Sequence, residues 1–510
     1  MQRNLFTSAN RPKFHDSMLI VKIRADAGPA IEAALAPAAR RGVAAVRHAA
    51  AAAVAAVSDV ETLVVEHPAF VTPGLNLLEK YERGGLIRRI TALTPMGRMA
   101  SGALTAARGG IATMAMGVRA VRNRTRATAA SAGVSLVELE REEDTVKLQK
   151  ALADDPHVQF VSRVPVRYLL ARPAVRPQAK RMRAKAAPPS ASSMWNLEKI
   201  EWAKARRLRA FKEATDVSVA VLDSGIDATH PDLAGRIASY VYLHPDTPSI
   251  SGQKDIIGHG THVAGTIGAL IRNRLGINGI CKCKLHAWKI FPDQAEFSGE
   301  DFGYFVDPVM YRRALADCLE QDIDVINLSI GGPGEPDQQE QDLFDALLAN
   351  GTTIVAAMGN EREEGSPISF PAAIPGVIAV GATSITDRIT QFSNRGDHIS
   401  LCAPGKGIWS TLPTYPGQFG FEAVRGPTGK WVEGKPLRRE TDYDDWDGTS
   451  MASPHVAAAV ALLVAKNGKT GPGATRTTLI GKLDAVPAMG GKKFDSDYGH
   501  GRLNLARFYR

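Results

Sequence analysis

The sequence predicts an α/β fold: a parallel sheet flanked by helices, preceded by a smaller α+β region. Three observations lead there. From residue 194 onward, short unbroken apolar runs end in small or polar residues and alternate with helical segments, the pattern of strands buried on both faces. At 510 residues the chain exceeds one ordinary core, so two domains are expected. Between two different textures lies ARPAVRPQAKRMRAKAAPPSASS, rich in Pro, Ala and basic residues and free of acidic ones. It reads as a linker over 171–193.

Taken in order, residues 1–130 are rich in Ala, Gly and Arg. There MLIVKIR reads as a strand, Ile31–Val57 as an alanine-rich helix and ETLVVE as a second strand. Residues 131–170 predict a helix ending near Asp154, then a strand through Val158–Val166. Beyond the linker, VSVAVLDSG, DVINLSIGG, TTIVAAMGN, GVIAVGAT and ISLCAPG read as sheet strands, with THVAGTIGALI and DLFDALLAN as helices. Such sheets carry their chemistry in loops beyond the strand C-terminal ends. The residues closing the runs therefore matter: Asp223, Ser329, Asn360 and Pro404.

Composition narrows the classes. Hydrophobic content of 44% and charged content of 23% are ordinary for a globular protein. No run of about 18 apolar residues without charge is present, so membrane insertion is not expected. MQRNLFTSANRPKFHDSMLIVKIRAD lacks an apolar core followed by a small-residue cleavage site. That favours a cytoplasmic chain, with export by another route as the alternative. The cysteines, Cys281, Cys283, Cys318 and Cys402, fit neither a disulfide framework nor zinc spacing and read as small buried thiols. Residues 1–190 carry 29 Lys/Arg against 15 Asp/Glu, while the remainder is net acidic. The basic half is suited to an acidic partner or to the acidic half of its own chain. It has no zinc pattern and no aromatic–basic platform, so nucleic acid is not the expected partner.

The chemistry gathers in three places. Asp223 meets a glycine turn at the end of an apolar strand, where an aspartate caps a turn as readily as it orients a histidine. His259 starts the small-residue helix of DIIGHGTHVAGTIGALI, and Ser450 starts the apolar helix of DWDGTSMASPHVAAAVALLVA. Each alone has a bland reading as a cap or helix-start residue. Together they supply the acid, base and nucleophile of acyl transfer.

VLDSGID, GHGTHVAGT and GTSMASPH resemble the three signature segments of the subtilisin-like serine peptidases, peptidase family S8. The resemblance implies a subtilisin-like α/β fold and a serine endopeptidase working through an Asp-His-Ser triad and an acyl-enzyme. Asp223 would orient the imidazole, His259 act as general base and Ser450 as nucleophile. His262 and His455 are structural on this reading. AAMGNE resembles the oxyanion segment, which assigns Asn360 as a donor beside the Ser450 amide. NLSIGG resembles the substrate-binding segment, with Ser329, Gly331 and Gly332 along the cleft. The rival reading is a catalytically silent peptide-binding relative.

Departures from the family pattern accompany the match. Gly258 stands before His259 where many relatives carry a polar side chain. The stretch between CAPGKGIWST and DGTSMASPH is long, and its glycines and prolines read as a loop over 411–447. No cofactor is required for the chemistry. Structural calcium is common in the family, and Asp232 and Asn273 are the candidate ligands, although IRNRLGING is longer than the pattern and carries two arginines. LADDPHVQFVSRVP resembles the end of an inhibitory propeptide. The expected organisation is therefore an N-terminal region (1–130) read as a divergent propeptide, a propeptide-like segment (131–170), the linker and a peptidase domain (194–510). The expected partners are polypeptide substrates, together with the N-terminal region bound to its own peptidase domain and self-processing near 171–193.

Overall fold

The computed structural model describes residues 13–23, 87–93, 126, 131, 133–156, 158–170, 172–173, 191–242, 254–298 and 301–510. The helix expected at 31–57 and the strand expected at ETLVVE lie outside them, as does most of the linker.

The first unit is a four-stranded antiparallel sheet of β1 (Phe14–Ile23), β2 (Ile87–Ala92), β3 (Val134–Leu139) and β4 (Val158–Pro165), in the order β2-β3-β1-β4. It draws strands from both sides of residue 130. Alternation gives each strand two apolar faces. Leu19, Val21 and Val137 pack under Leu148 and Leu152 of α1 (Thr145–Ala153). Ile20, Leu136 and Val164 face the other way and reach Val309 of the second unit.

After β4 the chain runs as an extended arm. Its short strands are β5 (Tyr168–Leu169) and β6 (Arg172–Pro173).

The second unit is built on a seven-stranded parallel sheet. Its strands are β7 (Ser218–Asp223), β8 (Ile237–Tyr242), β9 (Lys284–Lys289), β12 (Val325–Leu328), β14 (Thr353–Ala357), β15 (Ile378–Thr383) and β16 (Ile399–Pro404). Their order is β16-β15-β14-β12-β7-β9-β8. Buried residues alternate between its faces. Val219 and Val221 join a core with Val263 of α2 (His259–Gly268) and Val456 of α5 (Thr449–Asn467). Ala220 and Leu222 face Leu315 of α3 (Pro308–Glu320) and Leu343 of α4 (Gln338–Ala349). This is the expected parallel sheet flanked by helices. β8 and β9 were not expected: KLHAWK is too mixed in character to read as a buried strand, yet β9 pairs with both β7 and β8.

The order reverses beside β7, where the chain has moved to β8 and β9 on one side and returns to β12 on the other. That reversal opens a crevice at the strand C-terminal ends, and Asp223 and Ser329 stand at its edges. β13 (Ile330–Gly331) continues along it.

The 411–447 segment corrects the loop expectation. It contains a hairpin of β18 (Gln418–Arg425) and β19 (Trp431–Arg438), which extends a small sheet with β10 (Glu296–Ser298) and β11 (Asp301–Gly303). QFGFEAVR and WVEGKPLR alternate like strands, and cross-strand pairing tolerates their glycines at register shifts. β20 (Tyr443–Asp447) then pairs with β17 (Ile408–Thr411) and leads into α5.

The cytoplasmic placement is also corrected. It rests on the lack of a signal-peptide pattern near the N-terminus, whereas α5 has the length (19 residues) and mean hydropathy (1.2) to cross a membrane. With 83% of that window inside the core, α5 is a core helix here and assigns no compartment. The cysteine reading stands, since all four are buried thiols outside any disulfide.

Candidate active site

Strand β7 delivers Asp223 to the crevice, and α2 begins with His259 directly above it. Close approach makes this possible. A Cβ on Gly260 would lie 2.0 Å from the Gly225 carbonyl oxygen, so only glycine lets the helix settle against that turn. Asp255 anchors the helix start, accepting from the Gly258 and Thr261 amides at 2.8 Å each. Asp255 was missed in the sequence. Its signal was a carboxylate a few residues ahead of a helix start.

The result is a buried pair: His259 Nδ1 lies 2.7 Å from Asp223 Oδ1. Asp223 Oδ1 also accepts from the Ser224 amide at 2.7 Å, which fixes the carboxylate. His259 Nε2 points away and makes no hydrogen bond among the described residues. Trp446 forms the wall, with ring centroids 6.1 Å from His259 and 5.1 Å from His262. It too escaped the sequence reading.

Ser450 sits in the first turn of α5. Its hydroxyl donates to the Ser329 carbonyl at 2.8 Å, and no hydrogen bond joins it to His259. The Ser329 hydroxyl in turn holds the same turn of α5, bonding the Ser450 carbonyl (3.0 Å) and Ser453 Oγ (2.9 Å). Asn360 follows β14, and its Oδ1 accepts from the Thr449 amide and hydroxyl, both at 2.9 Å. That orients the amide so that Nδ2, the end an oxyanion requires, is turned from Thr449.

The other histidines are engaged elsewhere. His455 Nε2 accepts from Asn196 Nδ2 (2.9 Å) and its Nδ1–H donates to the Met451 carbonyl (2.8 Å). Burial lowers its pKa to about 4, and that of His262 to about 3, the latter helped by repulsion from His259.

The arm crosses the crevice. β5 pairs antiparallel with β13, placing Leu169 opposite Ile330 and Tyr168 opposite Gly331. The Leu170 amide donates to the Ser329 carbonyl (3.4 Å), while the Leu170 carbonyl accepts from the Ser450 amide (3.2 Å). Past the serine, β6 pairs with Trp446 and Asp447 of β20. Ser329, Gly331 and Gly332 thus border the path of the arm; a Cβ on Gly332 would lie 2.4 Å from the Val166 carbonyl oxygen.

The Subtilase family model, Peptidase_S8, matches residues 214–501. The chain belongs to the subtilase family. Among its relatives, subtilisin amylosacchariticus of Bacillus subtilis subsp. amylosacchariticus is 33% identical over 294 residues, 57% of this chain and 65% of that protein. The chain thus spans just under two thirds of that relative's length. The major intracellular serine protease of Bacillus subtilis (strain 168) is 34% identical over 256 residues, 49% of this chain and 68% of the relative. The crystal structure of fervidolysin from Fervidobacterium pennivorans, described as a keratinolytic enzyme related to subtilisin, superposes with a TM-score of 0.55. It is 27% identical and covers 74% of this chain and 56% of that one.

The calcium candidates do meet in this subtilase, but as a hydrogen-bonded cluster. Asp232 Oδ1 accepts from Asn273 Nδ2 (2.6 Å), and Oδ2 accepts from the Ile277 amide and the Tyr443 hydroxyl (3.0 Å each). Asn273 Oδ1 is turned to the Leu275 amide (3.0 Å). Calcium needs six or more converging oxygens, whereas here donors converge on the carboxylate. These residues do not fit the ion, and no group of three or more His, Cys, Asp or Glu suited to a metal exists among the described residues.

Proposed function

We propose that the chain is a serine endopeptidase that first cleaves itself after Leu170. The observation that carries this is the Leu170 carbonyl, which accepts from the Ser450 amide at 3.2 Å as a scissile carbonyl would. In the proposed step Ser450 Oγ attacks the Leu170 carbonyl carbon and His259 Nε2 takes the hydroxyl proton. The oxyanion is met by the Ser450 amide and Asn360 Nδ2. Collapse breaks the bond to Ala171, whose nitrogen leaves with the proton from His259, and water then releases the Leu170 carboxylate through the same base. Asp223 holds the imidazole tautomer throughout.

On this reading residues 131–170, with the strands contributed from 1–130, act as a propeptide bound to its own peptidase domain (194–510), and the 171–193 linker begins at the cut. External polypeptides would bind along Ser329, Gly331 and Gly332 once the arm leaves. A silent peptide-binding relative is the second reading, favoured by the Ser450 hydroxyl bonding Ser329 and not His259.

Intact-mass analysis of the purified full-length chain beside its Ser450→Ala variant separates the two. A cut after Leu170 in the wild type alone supports the peptidase. Uncut wild type that also fails to take up a serine-directed phosphonate would sink it.

A further inference from the structure

One side chain of the arm is buried in a way that its place on the surface of a cleft does not demand. Counting back from the Leu170 carbonyl, Arg167 is the fourth residue, and it is only 2% exposed. Its Nη2 lies 2.7 Å from Glu340 Oε2 and its Nε 3.2 Å from Glu340 Oε1, a two-point pairing with the carboxylate. Nη1 donates to the Gly334 carbonyl at 2.7 Å. The Tyr311 hydroxyl donates to Glu340 Oε1 at 3.1 Å and fixes the carboxylate plane. The backbone at Arg167 is held as well, with the Val306 amide donating to its carbonyl at 3.1 Å.

We propose that Glu340, Tyr311 and the Gly334 carbonyl form a subsite that selects arginine at the fourth residue before the cleaved bond of any peptide substrate. This rests on the peptidase reading above and adds its sequence preference.

The argument is one of ownership and geometry. Both hydrogen-bond acceptors of the guanidinium belong to the peptidase region, Glu340 on α4 and Gly334 in the loop after β13. Tyr311 of α3 holds the carboxylate, while His15 of β1 lies near enough to feel the Arg167 charge. The pocket therefore outlasts departure of the arm. A planar fork meets one carboxylate through two bonds and a carbonyl through a third, a match that a lysine ammonium cannot reproduce. An apolar or short residue there would leave a buried carboxylate, itself 0% exposed, without its cation. The neighbouring Arg312 does not substitute, because it pairs with Asp337.

The test uses the full-length protein, incubated until its mass is constant, with four peptides, acetyl-X-Tyr-Leu-Leu-aminomethylcoumarin, where X is Arg, Lys, Leu or Ala. The wild type should cut the Arg peptide with kcat/KM about 30-fold or more above Leu and Ala, and about tenfold above Lys. Glu340→Leu should reverse the order of Arg and Leu. In the full chain, Arg167→Leu should slow self-cleavage and the double variant Arg167→Leu/Glu340→Leu should recover it. The wild-type peptide series needs no variant, so a Glu340→Leu protein that fails to fold does not remove the test. Equal Ser450-dependent cutting of Arg and Leu peptides by the wild type would overturn the subsite and leave the peptidase standing. No cutting of any peptide and no self-cleavage would bring down the peptidase reading, and this proposal with it.

Discussion

His259 Nδ1 lies 2.7 Å from Asp223 Oδ1, with the two side chains 0% and 1% exposed. A carboxylate in that position accepts the Nδ1 proton and leaves Nε2 as the basic nitrogen. Asp223→Asn should keep the fold yet lower kcat by about 10⁴-fold, with KM little changed. A loss below tenfold in steady-state kinetics would remove Asp223 from the mechanism.

Asn360 has its amide carbonyl fixed by Thr449. Replacing it with alanine should reduce kcat by about 10²–10³-fold at near-constant KM, the magnitude known for the equivalent loss in subtilisin. Peptide kinetics on Asn360→Ala against wild type check this, and a change confined to KM would contradict it.

The pH dependence of stability follows from the buried histidines. His455 and His262 have folded-state pKa values of about 4 and about 3, below the ordinary 6.5. As pH falls below about 6.5 the unfolded chain takes up protons that the folded one refuses. Their contribution is therefore whole above that pH and is lost on the way down to the folded values. For His455 the loss at about pH 5 is roughly 2 kcal/mol. Urea midpoints at about pH 7.5 and about pH 5 should separate in the wild type and draw closer in His455→Gln. Equal separation in both would exclude His455 as a source.

Because Asp232 is satisfied by Asn273, Ile277 and Tyr443, a chelator should leave the thermal midpoint unchanged. Tyr443→Phe removes a hydrogen bond to a buried charge and should cost about 1.5–3 kcal/mol. A large drop in the wild-type midpoint on adding chelator would show that an ion is held after all.

Gly258 combines a φ of +89° with a Cβ position 2.7 Å from Arg439 Cδ. Gly258→Ala should destabilise the protein by about 1–3 kcal/mol. Activity should fall with it, since His259 is the next residue. Urea titration and self-cleavage rates read both effects, and an unchanged midpoint would contradict the strain.

The parts legible in the sequence were those whose signal is local. Strands buried on both faces are unbroken apolar runs, so β7, β12, β14, β15 and β16 could be read directly. Asp223, His259, Asn360 and Ser450 lie in short contiguous segments that resemble the signature segments of a family. What escaped was made by distant partners or mixed patterns. Arg167 and Glu340 stand 173 positions apart, and Tyr443 reaches Asp232 across 211. No spacing rule links either pair. The β18–β19 hairpin reads as a loop from the glycines and prolines scattered through it, while its alternation is the better guide. Asp232 and Asn273, the calcium candidates, lie together, but side-chain orientation, which sequence does not carry, decides that they bond one another.

The Ser450 hydroxyl rests on the Ser329 carbonyl, so it must turn away before it can deliver a proton to His259. On the proposed peptidase reading, the reaction is then a sequence of two events with a population between them. The observed rate constant is the chemical one multiplied by the fraction of molecules whose serine has rotated. If the resting bond is worth about 1 kcal/mol, that fraction is roughly one in six. A ligand that disfavours the resting rotamer would then quicken catalysis by a few fold while touching none of the reacting atoms.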